Sequence, residues 1–264
     1  MDVNEGGSSE LLRNSDATNG ADDDVTSLWH LLHPSATAPV TLQLVPGAGR
    51  GLVASTDLEP GEVLLRDQVL LTAPSEQSPA SECNGCQLLP ASIHCLCHLA
   101  FCSQACRAAC HSEEECQAVQ RLPLPHPRIC SWLPALRATL CKDPRFSLLQ
   151  REEVEVSESL HCVSKMTGVD VQQVAQAAGR LKANTFRRGL GRCLLPAMSM
   201  VNHSCEANCR VQWAEGGSHL VLKTRVALAK GKQVTISYCS ALLGTPARQK
   251  KLLTSKGFVC GCER

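Results

Sequence analysis

The sequence predicts an α+β fold, and three observations carry that expectation. Short, branched apolar runs separated by Gly- and Pro-containing turns cluster at 41–73 and again at 209–238. A helical texture fills 117–183, and eight of the 17 cysteines crowd into residues 83–116. The β-rich segments thus bracket a metal-like insert and a helical insert, as one composite unit and not as beads on a string. At 264 residues the chain can bury a real core without covalent help.

Composition narrows the function classes. Lys and Arg number 26 against 25 Asp and Glu, a formal net charge of +1, which makes no global electrostatic case for nucleic acid. No basic region followed by an apolar stretch opens the chain, and no apolar run approaches the ~20 residues that span a bilayer. The expectation is an intracellular protein, in the nucleus and/or cytoplasm, with reduced thiols and no membrane partner. An odd cysteine count of 17 also argues against a closed disulfide framework.

Residues 1–40 read as an acidic disordered tail, with a short helix at Val25–His33 that caps the domain. Residues 41–82 hold the strands TLQLVP, GLVAST and EVLLRDQVLLTA, joined by Pro-Gly-Ala-Gly and Glu-Pro-Gly-Glu turns. The cysteine module, 83–116, interrupts them. Residues 117–183 lean helical, most clearly in VQQVAQAAGRLK, where Val171, Val174, Ala175, Ala178 and Leu181 recur at helical spacing behind an Asp170 N-cap. β texture returns within 184–240 at CRVQW, HLVLKTRVAL and QVTISY. In 241–264 a last helix starts at Thr245 with Pro246 at its first position, and Gly257 stops it.

Tetrahedral zinc takes four thiolate or imidazole ligands, often as pairs on short turns. Cys83-x2-Cys86 and Cys102-x3-Cys106 supply a four-cysteine site. Cys95, Cys97, His111 and Cys116 remain as a second, cross-braced site. Cys95-x-Cys97 is tighter than the usual gap, whereas His94-x2-Cys97 has it, so His94 competes with Cys95 for that ligand position. Cys110 is a spare thiol beside His111. The module resembles a MYND zinc finger, departing from it in the tight second pair and the short Cys106-to-His111 gap. The resemblance implies two zinc ions and a surface for proline-containing peptides.

A second constellation is quieter: PGAGRGL at 46–52, KANTFRRG around Asn184, MVNHSCEANC at 200–209 and GKQVTISYC at 231–239. Each alone reads as a turn, a satisfied loop or a packed strand end. In this order they resemble the SET domain of protein lysine methyltransferases, and with the inserted finger they resemble the SET-and-MYND family, with the spacing of its arthropod-type branch. The resemblance implies a β-rich SET fold and methyl transfer from S-adenosylmethionine (AdoMet) to a protein lysine. It implies cofactor contacts at Gly49, Arg50, Asn184, Asn202 and His203, and a catalytic role for Tyr238, the chain's one tyrosine. Phe258 is the implied wall of the substrate channel. Cys205, Cys260 and Cys262 map onto a third zinc site, whose fourth cysteine would follow Cys-x-Cys-x2-Cys; CGCER ends one residue short of it. The expectation is therefore a truncated chain lacking the family's carboxy-terminal helical domain, and acting as a monomer. The chain departs from the family's aromatic channel at Lys256 and Leu195, where tyrosine is common. Three functions stay open: an active methyltransferase, a catalytically weak scaffold that recruits proline-rich partners in transcriptional regulation, or a bare zinc-dependent fold with some other ligand.

Overall fold

The computed structural model of the protein describes residues 17–34, 38–75, 81–122 and 129–262. Residues 1–16 of the expected tail, and the last two residues of the chain, lie outside that range. Helix α1 spans Ala17–Leu32, so it begins well before the expected Val25 and replaces part of the tail read as disordered. Val25, Trp29 and Leu32, at i, i+4 and i+7, are buried in the main core, with His33 stacked on Trp29 at 5.1 Å. The helix caps the domain.

Strands β1 (Val40–Val45) and β2 (Gly49–Ala54) form an antiparallel hairpin in the register Val45↔Gly49. Next come β3 (Val63–Gln68) and β4 (Leu71–Ala73), which the sequence reading had joined in one run. They enter different sheets, because the chain turns away at Val69–Leu70. The finger follows, with β5 (Ile93–His94), β6 (Ala100–Phe101), α2 (Gln104–Cys110) and α3 (Glu113–Gln120). Helices α4 (Ile129–Thr139), α5 (Pro144–Ser147), α6 (Glu158–Thr167) and α7 (Val171–Asn184) form the helical insert. Asp170 caps α7 as expected, accepting the Gln172 N–H at 2.9 Å.

The chain then runs through β7 (Thr185–Arg188), β8 (Gly191–Leu194), β9 (Asn202–His203), β10 (Cys209–Trp213), β11 (His219–Thr224), β12 (Thr235–Ile236) and α8 (Thr245–Lys256). The β7–β8 hairpin was not anticipated; it pairs with β4 in the order β4-β8-β7. A second three-stranded sheet runs β10-β11-β3. Of the expected QVTISY strand, residues 235–236 alone form regular pairing, parallel to β9 and in the register Thr235↔Asn202 and Ile236↔His203. Asn208 clamps this crossing: its side chain donates to the Gln233 carbonyl at 2.8 Å and accepts the Thr235 N–H at 2.9 Å. Helix α8 starts at Thr245 behind Gly244, which puts Pro246 at its second position and not at the expected first, and it is stopped by Gly257, whose φ of 72° a side chain would resist.

Two main cores result. One joins α1 to the sheets through Leu42, Leu52, Leu64, Leu194, Met198 and Leu222. The other is shared by the finger and the helical insert: Phe101 and Val119 pack with Trp132, Leu136, Val163 and Met166, all at or near zero exposure. The finger is therefore seated by hydrophobic contact and does not rely on metal ions for all of its core.

A buried ion pair joins these layers. Arg137 of α4 meets Glu115 of α3 at 3.0 Å, donates to the Thr72 carbonyl at 3.1 Å and hydroxyl at 2.7 Å on β4, and reaches the Asn84 carbonyl at 2.8 Å in the finger. Truncating one partner strands a buried charge. Arg137→Ala should destabilise the protein by about 3–5 kcal/mol in urea denaturation.

Asp67 of β3 is a buried carboxylate of a different kind. Burial pushes its pKa up to about 6, against the pull of the Met198 N–H, which it accepts at 2.7 Å, and of Arg145. The folded state thus binds this proton more tightly than an unfolded chain, whose aspartate titrates near ~3.9. The contribution is present below that value and is lost as pH rises through about 6. Stability of the wild type minus that of Asp67→Asn should therefore fall between about pH 4 and 6, by on the order of 1–3 kcal/mol. Zinc-ligand titrations shared by both proteins cancel in that difference.

Candidate active site and metal centres

Among the described residues, three clusters of thiols and imidazoles have ligand atoms within 4.8 Å of one another. Zinc–sulfur bonds of about 2.3 Å at tetrahedral angles set neighbouring sulfurs about 3.8 Å apart. In the first cluster Cys83 and Cys106 are 3.5 Å apart, and Cys86 and Cys102 are 3.7 Å apart. In the second, Cys95 lies 3.5 Å from both Cys116 and His111 Nε2, and Cys97 lies 3.4 Å from the same nitrogen. These distances and donor sets fit zinc, with the ligands that the spacing assigned. The His94/Cys95 choice falls to Cys95: His94 ends β5 and is exposed, whereas Cys95 follows the strand, donates its N–H to the Leu99 carbonyl and is buried in the cluster. The Cys95–Cys97 gap closes because Leu96 is expelled to 85% exposure and His98 turns with a φ of 65°. Cys110 stays outside the cluster.

Local caps start both finger helices beside these clusters. Ser103 accepts the Cys106 N–H and Ser112 accepts the Glu115 N–H, each at 3.1 Å. One thiol in each finger cluster is poised for ionisation. Burial opposes this, but backbone N–H groups and the neighbouring Cys106 thiol bring Cys83 down to about 7. Similar bonds from Cys97, Cys116 and His111 bring Cys95 to about 6.

Glu115, which the sequence reading missed, completes the second cluster. Its carboxylate lies 2.9 Å from His111 Nδ1, which holds the proton there and frees Nε2 for a metal. Burial alone would raise the pKa of Glu115; Arg137 and His111 outweigh it, and the carboxyl sits below its usual range. A Glu four residues after a ligand histidine was the available signal. Its arginine partner, in another helix, left none.

The second constellation assembles around a cavity of about 420 Å³, a volume in the range of small-molecule sites. Arg50, Asn184, Asn202, His203, Tyr238 and Phe258 all line it, so residues spread over most of the chain converge there. Gly49 does not: Gly47 and Ala48 supply the turn's lining, while Gly49 enters β2 at a φ of 69°. Asn202 Nδ2 donates to the Arg50 carbonyl at 3.2 Å, and a β-carbon on Gly51 would lie 2.5 Å from that nitrogen. The glycine turn and β9 can approach this closely because Gly51 lacks a side chain. Arg50 donates to the Leu148 carbonyl at 2.9 Å, and burial lowers its pKa.

Asn184 lines the cavity with its side-chain donors already committed to the Gln150 and Arg180 carbonyls, each at 2.7 Å. It shapes the wall.

Tyr238 and His203 meet across the β9–β12 crossing. The Tyr238 N–H donates to His203 Nδ1 at 3.0 Å, and the Tyr238 hydroxyl donates to the Val201 carbonyl at 2.6 Å. Burial raises the phenol pKa to about 12, so the hydroxyl stays protonated. Phe258 stands edge-on to Tyr238, with ring centroids 6.5 Å apart.

His203 also belongs to the third cluster, with Cys205, Cys260 and Cys262. Its Nε2 lies 3.4 Å from Cys205 Sγ, and Cys260 and Cys262 sulfurs are 2.9 Å apart. Burial, reinforced by Arg248, lowers the pKa of His203. A neutral ring that accepts at Nδ1 carries its proton on Nε2. It is then a donor toward the cluster, so among the described residues the three thiols are the groups there that could hold a zinc ion.

The site and fold define a SET-type domain carrying a cysteine–histidine finger. Residues 49–239 match the SET domain family, and the chain belongs to it. Its relatives place it among the SET and MYND domain proteins. It is 28% identical over 262 residues to mouse "Histone-lysine N-methyltransferase SMYD3", covering 82% of this chain and 59% of that protein. It is 25% identical over 260 residues to "SET domain and MYND-type zinc finger protein 6" of Schizosaccharomyces pombe, covering 84% and 50%. The chain spans about half the length of several curated relatives it matches. The solved SET domain of LSMT bound to lysine and AdoHcy superposes with a TM-score of 0.53 at 18% identity, covering 90% of this chain and 57% of that one, a likeness of fold.

Replacing the Glu115 carboxylate should loosen the second finger site selectively. Glu115→Gln should lower zinc affinity there about 10–100-fold, with the four-cysteine cluster retaining its ion, in chelator competition followed by metal analysis.

Proposed function

We propose that this chain carries the catalytic core of an AdoMet-dependent protein-lysine methyltransferase whose MYND-type finger engages proline-containing peptides. The observation that supports this reading is the convergence of the glycine turn, Asn202, His203 and Tyr238 on one cavity. AdoMet, when bound, supplies a sulfonium methyl that is open to in-line displacement by a neutral amine. Such a reaction is accelerated chiefly by alignment and exclusion of water.

The chain's own groups suit that task. The turn at 46–51 and β9 are locked together by Asn202, giving a rigid wall for the cofactor. Tyr238 is a poor base with its phenol near 12, and its hydroxyl is tethered to Val201. It serves as an oriented dipole that directs the amine, and the proton leaves to solvent. Gly49 acts by setting the turn, and Asn184 by shaping the wall. Phe258 supplies an aromatic face beside Tyr238.

The finger carries exposed Leu89 and Leu96, apolar groups suited to a peptide partner. No helix among the described residues is long and apolar enough to cross a membrane. We place the protein in the nucleus and/or cytoplasm, acting as a monomer on histone or non-histone proteins, with no sequence-specific contact to nucleic acid. A second reading, a catalytically weak scaffold in transcriptional regulation, is favoured by one observation: a lysine, Lys256, lines the same cavity.

Calorimetry separates the two readings. The zinc-loaded protein should bind AdoMet, and Tyr238→Phe should cut methyl transfer to a peptide library roughly 10–100-fold while leaving AdoMet affinity nearly unchanged. Absence of AdoMet binding, or full activity of the Phe variant, contradicts the enzymatic mechanism.

A further inference from the structure

Lys256 is the last residue of α8 and points into the cavity, not away from it. Its Nζ donates to the Ala183 carbonyl at 2.9 Å and lies 5.3 Å from the centroid of the Tyr238 ring. A backbone carbonyl and an aromatic face are the two groups that hold an alkylammonium when water is scarce. The arrangement is therefore an ammonium subsite, and the chain's own side chain is what fills it. Desolvation lowers the pKa of this amine, with the charges of Glu152 and Arg192 acting on it in opposite directions. Gly257, at a φ of 72°, follows at once and leads into Phe258, so the lysine, the turn and the aromatic wall form one continuous strip of the cavity.

We infer that Lys256 is a built-in occupant of the subsite that would take a substrate's amine, held between the Ala183 carbonyl and the Tyr238 ring. The substrate half of this inference rests on the proposed methyltransferase reading. An incoming lysine must displace Lys256 or approach beside it, against a like charge at close range. The residue thus determines specificity through occupancy: it raises the concentration at which an amine substrate engages.

The occupancy can be tested without turnover. Methylammonium, the head group of a lysine side chain, should raise the melting temperature of Lys256→Ala at tens of millimolar and leave that of the wild type unchanged, with tetramethylammonium and sodium as size and salt controls. Equal shifts in both proteins, or none in either, overturn the inference. A second variant reads the reaction. Lys256→Met keeps the length and removes the charge, and should lower KM for a lysine peptide at least tenfold while kcat changes less and AdoMet affinity holds. An unchanged or higher KM in that variant, with AdoMet still bound, likewise overturns it. A methylammonium shift confined to Lys256→Ala, with no methyl transfer from any variant, upholds the occupied subsite and rejects the enzymatic reading instead.

Discussion

The pairing of Arg137 with Glu115 is the constraint on which the rest of the molecule depends. Both side chains are about 95% buried or more, where an unpaired charge is costly and a half-satisfied network costs more than an apolar contact. The pair is tolerable because its polar atoms are well employed. The guanidinium reaches the Thr72 carbonyl and hydroxyl and the Asn84 carbonyl, while the carboxylate takes both the arginine and His111. Helical insert, sheet, finger and second metal cluster are thereby set against one another at a single point. Hydrophobic packing of Phe101 and Val119 on Trp132 and Leu136 supplies non-directional attraction; the ion pair specifies one arrangement.

A comparable economy holds at the cavity. The short parallel pairing of β9 and β12 brings residues 202–203 beside 235–238, and two bonds from Asn208 keep it closed. His203 then faces two ways: Nδ1 receives the Tyr238 backbone, and Nε2 reaches the sulfur of Cys205. The placement of the tyrosine is therefore mechanically continuous with the third thiol cluster, which abuts the cavity through His203.

Much of the scaffold was legible because its signals are local. Asp170 capping α7, Pro246 and Gly257 bounding α8, and the paired cysteines of the first cluster all act within a few residues of themselves. Elements whose stability comes from distant partners were read less well. The run from 62 to 73 looked like one strand, yet β3 and β4 pair with strands some 120–160 residues away in sequence, in different sheets. The β7–β8 hairpin was invisible for the same reason: Phe186 and Cys193 acquire a strand environment only once β4 lies beside them.

The sequence by itself determined the order of chemistry along the chain: which cysteines pair in the first cluster, where α7 begins and where α8 stops, and which motifs resemble a methyltransferase core. Those are matters of residue type and short spacing. Tertiary structure alone decided that Cys95 and not His94 enters the second cluster, since Cys95 is buried among the other ligands while His94 stays exposed. It placed Glu115 behind His111 with Arg137 behind both, and gave Gly49 a backbone task in place of a lining one. It also set Lys256 on the ring of Tyr238. Each outcome depends on which side chains share a desolvated space, and burial, unlike spacing, is a property of the whole fold.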